Sequence, residues 1–298
     1  MEQRAATTPL GRAARVPPQA LFVASALSRY LGPSFAVLLF ARVDVLGAAW
    51  LRIAAAALLF AAWRRPWRAA AALDRQGRAL IVGLGVVLAL MNSCFYVAID
   101  RLPLATVAAI EFIGPIALAL AGARVPRNLA AVGAAAAGVV LLTGPHLEGE
   151  PLGLALAFAN AALFALYVVL AHRLAARGAG AGIDRLGGAM LVALVVATPV
   201  GAWSAGDALA DPVVLAAGLG VGVTSSVVPY VLDQMALARL PRATYALFVS
   251  ILPASAAVIG VVVLQQLPSA ADVGGIVLVM LGVALHRPER PPPATQNT

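Results

Sequence analysis

Ten apolar stretches follow one another from residue 19 to residue 286, each close to the length that carries a helix across a bilayer and each bounded by charge or turn residues. They run 19–41, 45–63, 79–99, 103–123, 128–144, 152–172, 185–204, 212–237, 242–264 and 270–286. A hydrocarbon core about 30 Å thick takes ~20 apolar residues of helix, so the chain reads as an all-α integral membrane protein of ten transmembrane helices. Composition agrees: 62% of residues are hydrophobic and 11% charged, against roughly 25% charged in a soluble domain. The first stretch is not a cleavable signal peptide, because its apolar run is too long and Arg29 interrupts it before any small-residue cleavage site.

All 21 basic residues are arginine, and their placement tests the span count. Seventeen fall in the two tails and in the loops after spans two, four, six and eight, while the opposite side receives only Arg42 and Arg101. By the positive-inside rule both termini are cytoplasmic. The run Arg64, Arg65, Arg68, Arg75 and Arg78 is a topological anchor rather than a nucleic-acid patch. The net charge of +8 lies at the inner surface, where anionic membrane lipid is the natural partner. Residues 1–17 and 287–298 read as disordered cytoplasmic tails. Absence of lysine, with heavy use of Ala, Gly, Arg, Val and Pro, fits a GC-rich genome and hence a bacterial plasma membrane. Cys94 is the lone cysteine, so no intrachain disulfide forms.

Arg101 to Thr106 reads RLPLAT and Arg239 to Thr244 reads RLPRAT, with a further proline at the same distance in each copy, Pro103 to Pro115 and Pro241 to Pro253. Fixed-period self-similarity points to duplication. The halves are 18–144 and 152–286, joined by an external linker, 145–151. Each crosses the membrane an odd number of times, so the second half is inverted; Arg101 then lies outside and Arg239 inside. Inverted repeats build two nearly equivalent conformations around a substrate site at the midplane. Enzyme chemistry lacks its parts: without lysine there is no Walker A motif and no Schiff base, and His146, His172 and His286 sit in loops or at span ends. No zinc spacing occurs, and no metal or cofactor is expected. Proton coupling, exchange and facilitation stay open, as does a homodimer.

From the second stretch onward the residues resemble the EamA family of the drug/metabolite transporter superfamily, and within it the threonine/homoserine exporter branch. The resemblance rests on AIEFIGP, Ala109 to Pro115, with Phe95, Tyr96, Leu102, Pro103 and Leu104 before it. Leu51 and Arg52, Arg65 to Trp67, Pro229 and Tyr230, and Ala236 to Pro241 support it. It implies ten helices in two bundles and export of small metabolites. Two glutamates usual in the family are absent: Leu252 stands before Pro253, and Gln265 and Gln266 follow Leu264. Asp233 replaces a third.

Polar residues inside the spans are the candidate site. Glu111 lies about 12 Å deep at 1.5 Å per residue, where a carboxylate is protonated or paired and is functional by default. Pro115 frees the Glu111 carbonyl, and the same spacing recurs at Arg29 with Pro33 and at Ser225 with Pro229; Pro253 is the equivalent break in span nine. Arg29 and Arg52 keep their charge and either can pair with Glu111 or bind a substrate carboxylate, although snorkelling is the simpler reading of Arg52. Asn92, Asn160, Tyr167, Tyr230, Tyr245 and Ser250 offer hydrogen bonds at middle depths and Tyr96 nearer the outer face, with interhelical glue as the plainer role. Asp233 reads as a gate or surface residue near the cytoplasmic end. The runs Ala54–Ala57 and Ala134–Ala137 read as close-packing surfaces. This inventory fits a carrier that exports small polar metabolites, amino acids above all. Efflux of cationic or lipophilic drugs is the alternative within transport, and a non-transporting scaffold the alternative outside it.

Overall fold

Acids, prolines and small hydroxyls at the ends of the apolar runs set where each helix starts. Asp44 accepts from the Leu46 N–H at 3.2 Å, Asp74 from Gly77 at 2.7 Å and Asp211 from Val213 at 2.8 Å. Each satisfies an N–H that the first turn leaves without an intrahelical partner. Ser269 and Asp272 form a reciprocal capping box. The computed structural model describes residues 16–71, 73–114, 116–117, 126–143, 150–175, 182–229, 232 and 250–285.

Eleven α-helices and no strand occur among the described residues. They are α1 Pro18–Leu39, α2 Val45–Arg64, α3 Pro66–Ala71, α4 Arg75–Arg101, α5 Leu104–Glu111 and α6 Pro126–Thr143. Then come α7 Pro151–Ala175, α8 Gly182–Ala205, α9 Pro212–Gly222, α10 Leu252–Leu264 and α11 Ala270–Leu285. Six helical segments are long and apolar enough to cross a membrane, and Pro212–Val227, α10 and α11 are shorter apolar helices. The chain is a multi-pass membrane protein. Its outward residues fit that solvent: Trp203 is 88% and Val195 71% exposed, and such faces meet lipid rather than water.

Several boundaries differ from the sequence reading. Asp74 caps α4 well ahead of the expected start at 79, so that helix is longer. The short α3 is an addition; it forms because Arg65 takes a left-handed φ of 49°, ends α2 and lets Pro66 open a new turn. A 3₁₀ turn, Gly206–Ala210, likewise follows α8. Pro115, Tyr230, Asp233, Arg239, Pro241 and Tyr245 lie outside the described residues.

Helices pack pairwise: α2 on α8, α6 on α11, α4 on α7, α5 on α10, and α1 on both α9 and α10. Small residues let backbones approach where lipid supplies no hydrophobic drive between helices. In α6 and α11, a Cβ added at Gly138 would stand 2.6 Å from the Gly275 carbonyl oxygen, and one at Gly275 would stand 2.8 Å from that of Gly138. The alanine run expected to do this is only partly right: Ala136 and Ala137 are exposed, and the contact stripe is Ala131, Ala135 and Gly138. Ala54–Ala57 are buried as expected. Arginines tie helix ends together. Arg64 forms a two-point contact with Asp184, 2.8 and 3.4 Å. Arg185 donates to the Leu174 carbonyl at 2.6 Å and Arg127 to that of Leu285 at 2.7 Å, both near helix C-termini where a cation is favoured.

Candidate functional site

A cavity of about 140 Å³ lies among the long helices, below the ~300–1,000 Å³ of drug-sized sites. Its walls come from both halves of the chain, without α6 and α11. Helix α1 supplies Arg29, Tyr30 and Pro33, α2 supplies Arg52, and α4 supplies Leu88, Met91, Asn92 and Phe95. Glu111 at the end of α5 is followed by Phe112; α7 adds Asn160, Phe164 and Tyr167, and α8 adds Leu186 and Met190. Ser225, Ser226 and Pro229 come from the segment after α9, and Leu252 from α10. The aromatic side is ordered by ring contacts: Phe164 stacks on Tyr167 at 5.9 Å and meets Phe112 edge-on at 6.3 Å.

The segment after α9 is a single π turn, Val223–Val227, and Pro229 explains it. Proline has no N–H, so the carbonyls that would bond to it, Thr224 in π register and Ser225 in α register, are both released. Both are taken up from neighbouring helices. Ser28 of α1 donates to the Thr224 carbonyl at 2.6 Å, and Arg52 of α2 donates through Nη2 to that of Ser225 at 3.4 Å. Ser25 adds a bond to the Pro229 carbonyl at 3.0 Å. Helix α1 reaches this segment closely because Gly32 presses on Ser225 with no Cβ to intervene.

Arg52 is thereby fixed in the cavity wall. Its Nε donates to Ser226 Oγ at 3.3 Å, and its guanidinium lies 5.6 Å from the centre of the Tyr96 ring. The snorkelling reading of Arg52 is corrected. Seven residues into α2 it is already ~10 Å deep, and cation–π and hydrogen-bond partners hold it sideways against the π turn. No carboxylate lies within ion-pair distance of it among the described residues, so the direct contacts of this half-buried cation are to neutral groups, with Glu111 farther off across the cavity. Glu111 shares the cavity with both guanidinium groups and lies beside Asn160. The Asn160 carboxamide is buried with neither nitrogen nor oxygen hydrogen-bonded among the described residues, a state that costs ~1–3 kcal/mol per group.

Known proteins place this arrangement. Residues 151–286 match the model of the EamA-like transporter family. Over 238 residues, 79% of either chain, the sequence is 37% identical to the threonine/homoserine exporter RhtA of Salmonella typhimurium, and it is 36% identical over the same share to RhtA of Escherichia coli. The chain belongs to the EamA-like transporter family. A crystal structure 18% identical in sequence superposes with a TM-score of 0.53 over 90% of this chain and 96% of the other, a likeness of fold. As an EamA-like transporter the chain takes a small-molecule substrate and is not an enzyme.

Within this EamA-like bundle the cavity brings together Arg29, Arg52, Asn92, Glu111, Asn160, Tyr167 and Ser225 from the sequence candidates; of the expected helix breaks that line it, Pro229 follows the π turn, whereas Pro33 sits inside an unbroken α1. It leaves out two. Tyr96 is fully buried behind Arg52, and Ser250 is buried in the turn before α10 without lining the cavity. Pro253 sits in the first turn of α10. Leu252, where the family's pattern has glutamate, lines the cavity and leaves Glu111 the one carboxylate among its described lining residues. Gln266, at the other altered position, accepts from the Leu104 N–H at 3.1 Å and caps α5. Sequence reasoning missed Ser226 and the aromatic wall of Phe112 and Phe164. The apolar members carry no signal in a chain this hydrophobic, but Ser226 follows a serine already singled out for its spacing to Pro229.

Proposed function

We propose that the chain exports small amino acids of the threonine/homoserine type from the cytoplasm by alternating access. The observation that carries the proposal is a small cavity that holds Arg52, hydrogen-bonded to the neutral Ser225 carbonyl and Ser226 hydroxyl, together with Glu111. A zwitterion needs a cation for its carboxylate and an acceptor for its ammonium, and Arg52 and Glu111 provide them. Relatives at 36–37% identity that are named threonine/homoserine exporters support the substrate class.

Helix pairing supports two inverted five-helix halves. With spans numbered one to ten, the packed pairs include two with seven, five with ten, four with nine, three with six and eight with one. Adding five to each member returns the same set, as a pseudo-two-fold axis requires. In this reading both termini are cytoplasmic, in a bacterial plasma membrane. Glu111 carries the proton if transport is proton-coupled.

Counterflow in proteoliposomes tests the proposal. Vesicles loaded with threonine or homoserine should accumulate labelled threonine, and quaternary amines should neither drive nor block it. Accumulation driven by the amines and not by amino acids would replace this reading with cationic drug efflux.

A further inference from the structure

We propose that Asn160 is the specificity residue that selects a hydroxyl on the substrate side chain; the proposal rests on the amino-acid export reading above. Asn160 is fully buried in α7, and both Nδ2 and Oδ1 lack a hydrogen-bond partner among the described residues. The contrast with Asn92 is instructive. That carboxamide also lines the cavity but donates to the Leu88 carbonyl one turn back at 2.7 Å, so its nitrogen is occupied within its own helix.

The surroundings keep Asn160 from relieving itself. Gly114, just after α5, presses on the carbonyl of Ala161 so closely that a Cβ there would clash, which pins α7 against the end of α5. Phe112, Phe164 and Leu252 line the same cavity and offer no hydrogen bond, and the neighbouring Glu111 carboxylate acts on the amide without reaching hydrogen-bond geometry. A primary amide presents one donor group and one acceptor group. A hydroxyl is the smallest ligand group that answers both, donating to Oδ1 and accepting from Nδ2. With Arg52 and Glu111 holding the α-carboxylate and α-ammonium, the side chain of a bound amino acid is the part left to meet α7. A methyl in place of the hydroxyl fills the same space and leaves both amide atoms unpaired, which is how a polar site rejects an isostere.

The test is competition in counterflow between isosteric pairs, threonine against valine and homoserine against norvaline, in the parental protein and in Asn160→Leu. The parental protein should favour each hydroxylated member by about tenfold or more. Asn160→Leu should bring both ratios to within about twofold of unity while still moving valine, which also reports that it folds. If Asn160→Leu does not reconstitute, ligand-induced thermal shifts of the parental protein decide: stabilisation by threonine well above that by valine supports the proposal, and equal stabilisation overturns it. An Asn160→Leu protein that keeps the parental ratios overturns it too. A parental protein that moves no amino acid of either kind fails the export reading itself.

Discussion

Replacing Arg52 by lysine keeps the charge and removes the planar fork, so it isolates what the π turn and Tyr96 do for this cation. Two contributions are lost. The cation–π contact at 5.6 Å is worth about 1 kcal/mol in a partly desolvated site. The contacts to Ser226 Oγ and the Ser225 carbonyl, at 3.3 and 3.4 Å, exceed the usual 2.7–3.2 Å and together add well under the ~1.5–3 kcal/mol of one good charged hydrogen bond. A total near 1–2 kcal/mol corresponds to about 5- to 30-fold in affinity. Arg52→Lys should therefore raise the KM for threonine counterflow by about tenfold, with maximal rate and expression little changed. Tyr96 supplies the control. Its hydroxyl lies close to Arg52 without reaching hydrogen-bond geometry, so Tyr96→Phe keeps the ring, loses only a minor contact and should stay within about twofold of the parental KM, whereas Tyr96→Leu should approach the effect of Arg52→Lys. Equal KM values for Arg52→Lys and the parental protein, or a Tyr96→Phe protein as impaired as Tyr96→Leu, would refute the reasoning.

Glu111→Gln keeps shape and removes the charge; it should abolish export and its pH dependence while the thermal midpoint holds, and Glu148→Gln, in the linker expected between the halves, should change neither. A fall in thermal stability with export preserved would instead mark Glu111 as a structural partner. Gly138→Ala and Gly275→Ala each drive a methyl against the opposite backbone at 2.6 and 2.8 Å, and overpacking of this kind costs ~1–3 kcal/mol; Gly133→Ala, with open space around it, should be neutral in the same melting assay. Reporters fused after Ala70, Gly180 and Arg290 should report cytoplasm, and those after Glu148 and Ala208 the outside; one reversed reporter would undo the inverted repeat.

The helices are legible because lipid demands length and apolarity, and both are one-dimensional properties of a sequence. Depth is legible for the same reason: counting residues into a span finds Glu111, Asn160 and Arg29. Direction is not. Counting puts Arg52 ~10 Å along α2 but gives no azimuth, and with apolar residues around it on every side in α2 the sequence cannot tell a side chain that snorkels to the membrane edge from one that turns into the bundle. The proline rule succeeds at Pro229, where freed carbonyls do occur, but the sequence offers no sign that Ser28 and Arg52 take them. Phe112, Phe164, Leu88 and Met190 line the cavity, yet a methionine facing substrate and one facing lipid look the same in a chain that is 62% hydrophobic. Small residues mislead in the other direction: Ala136 and Ala137 look like packing and face outward, since α11 meets that helix along Ala131, Ala135 and Gly138.

The central claim is that Arg52 and Glu111 read the two charges of one small zwitterion. Competition for threonine counterflow by charge-deleted analogues tests it most directly: threoninol lacks the carboxylate, and 3-hydroxybutyrate lacks the ammonium. Unlabelled threonine should compete fully, and each analogue should be weaker by about tenfold or more, since each leaves one charged group of the cavity without its partner. Threoninol or 3-hydroxybutyrate competing as well as threonine would contradict the account.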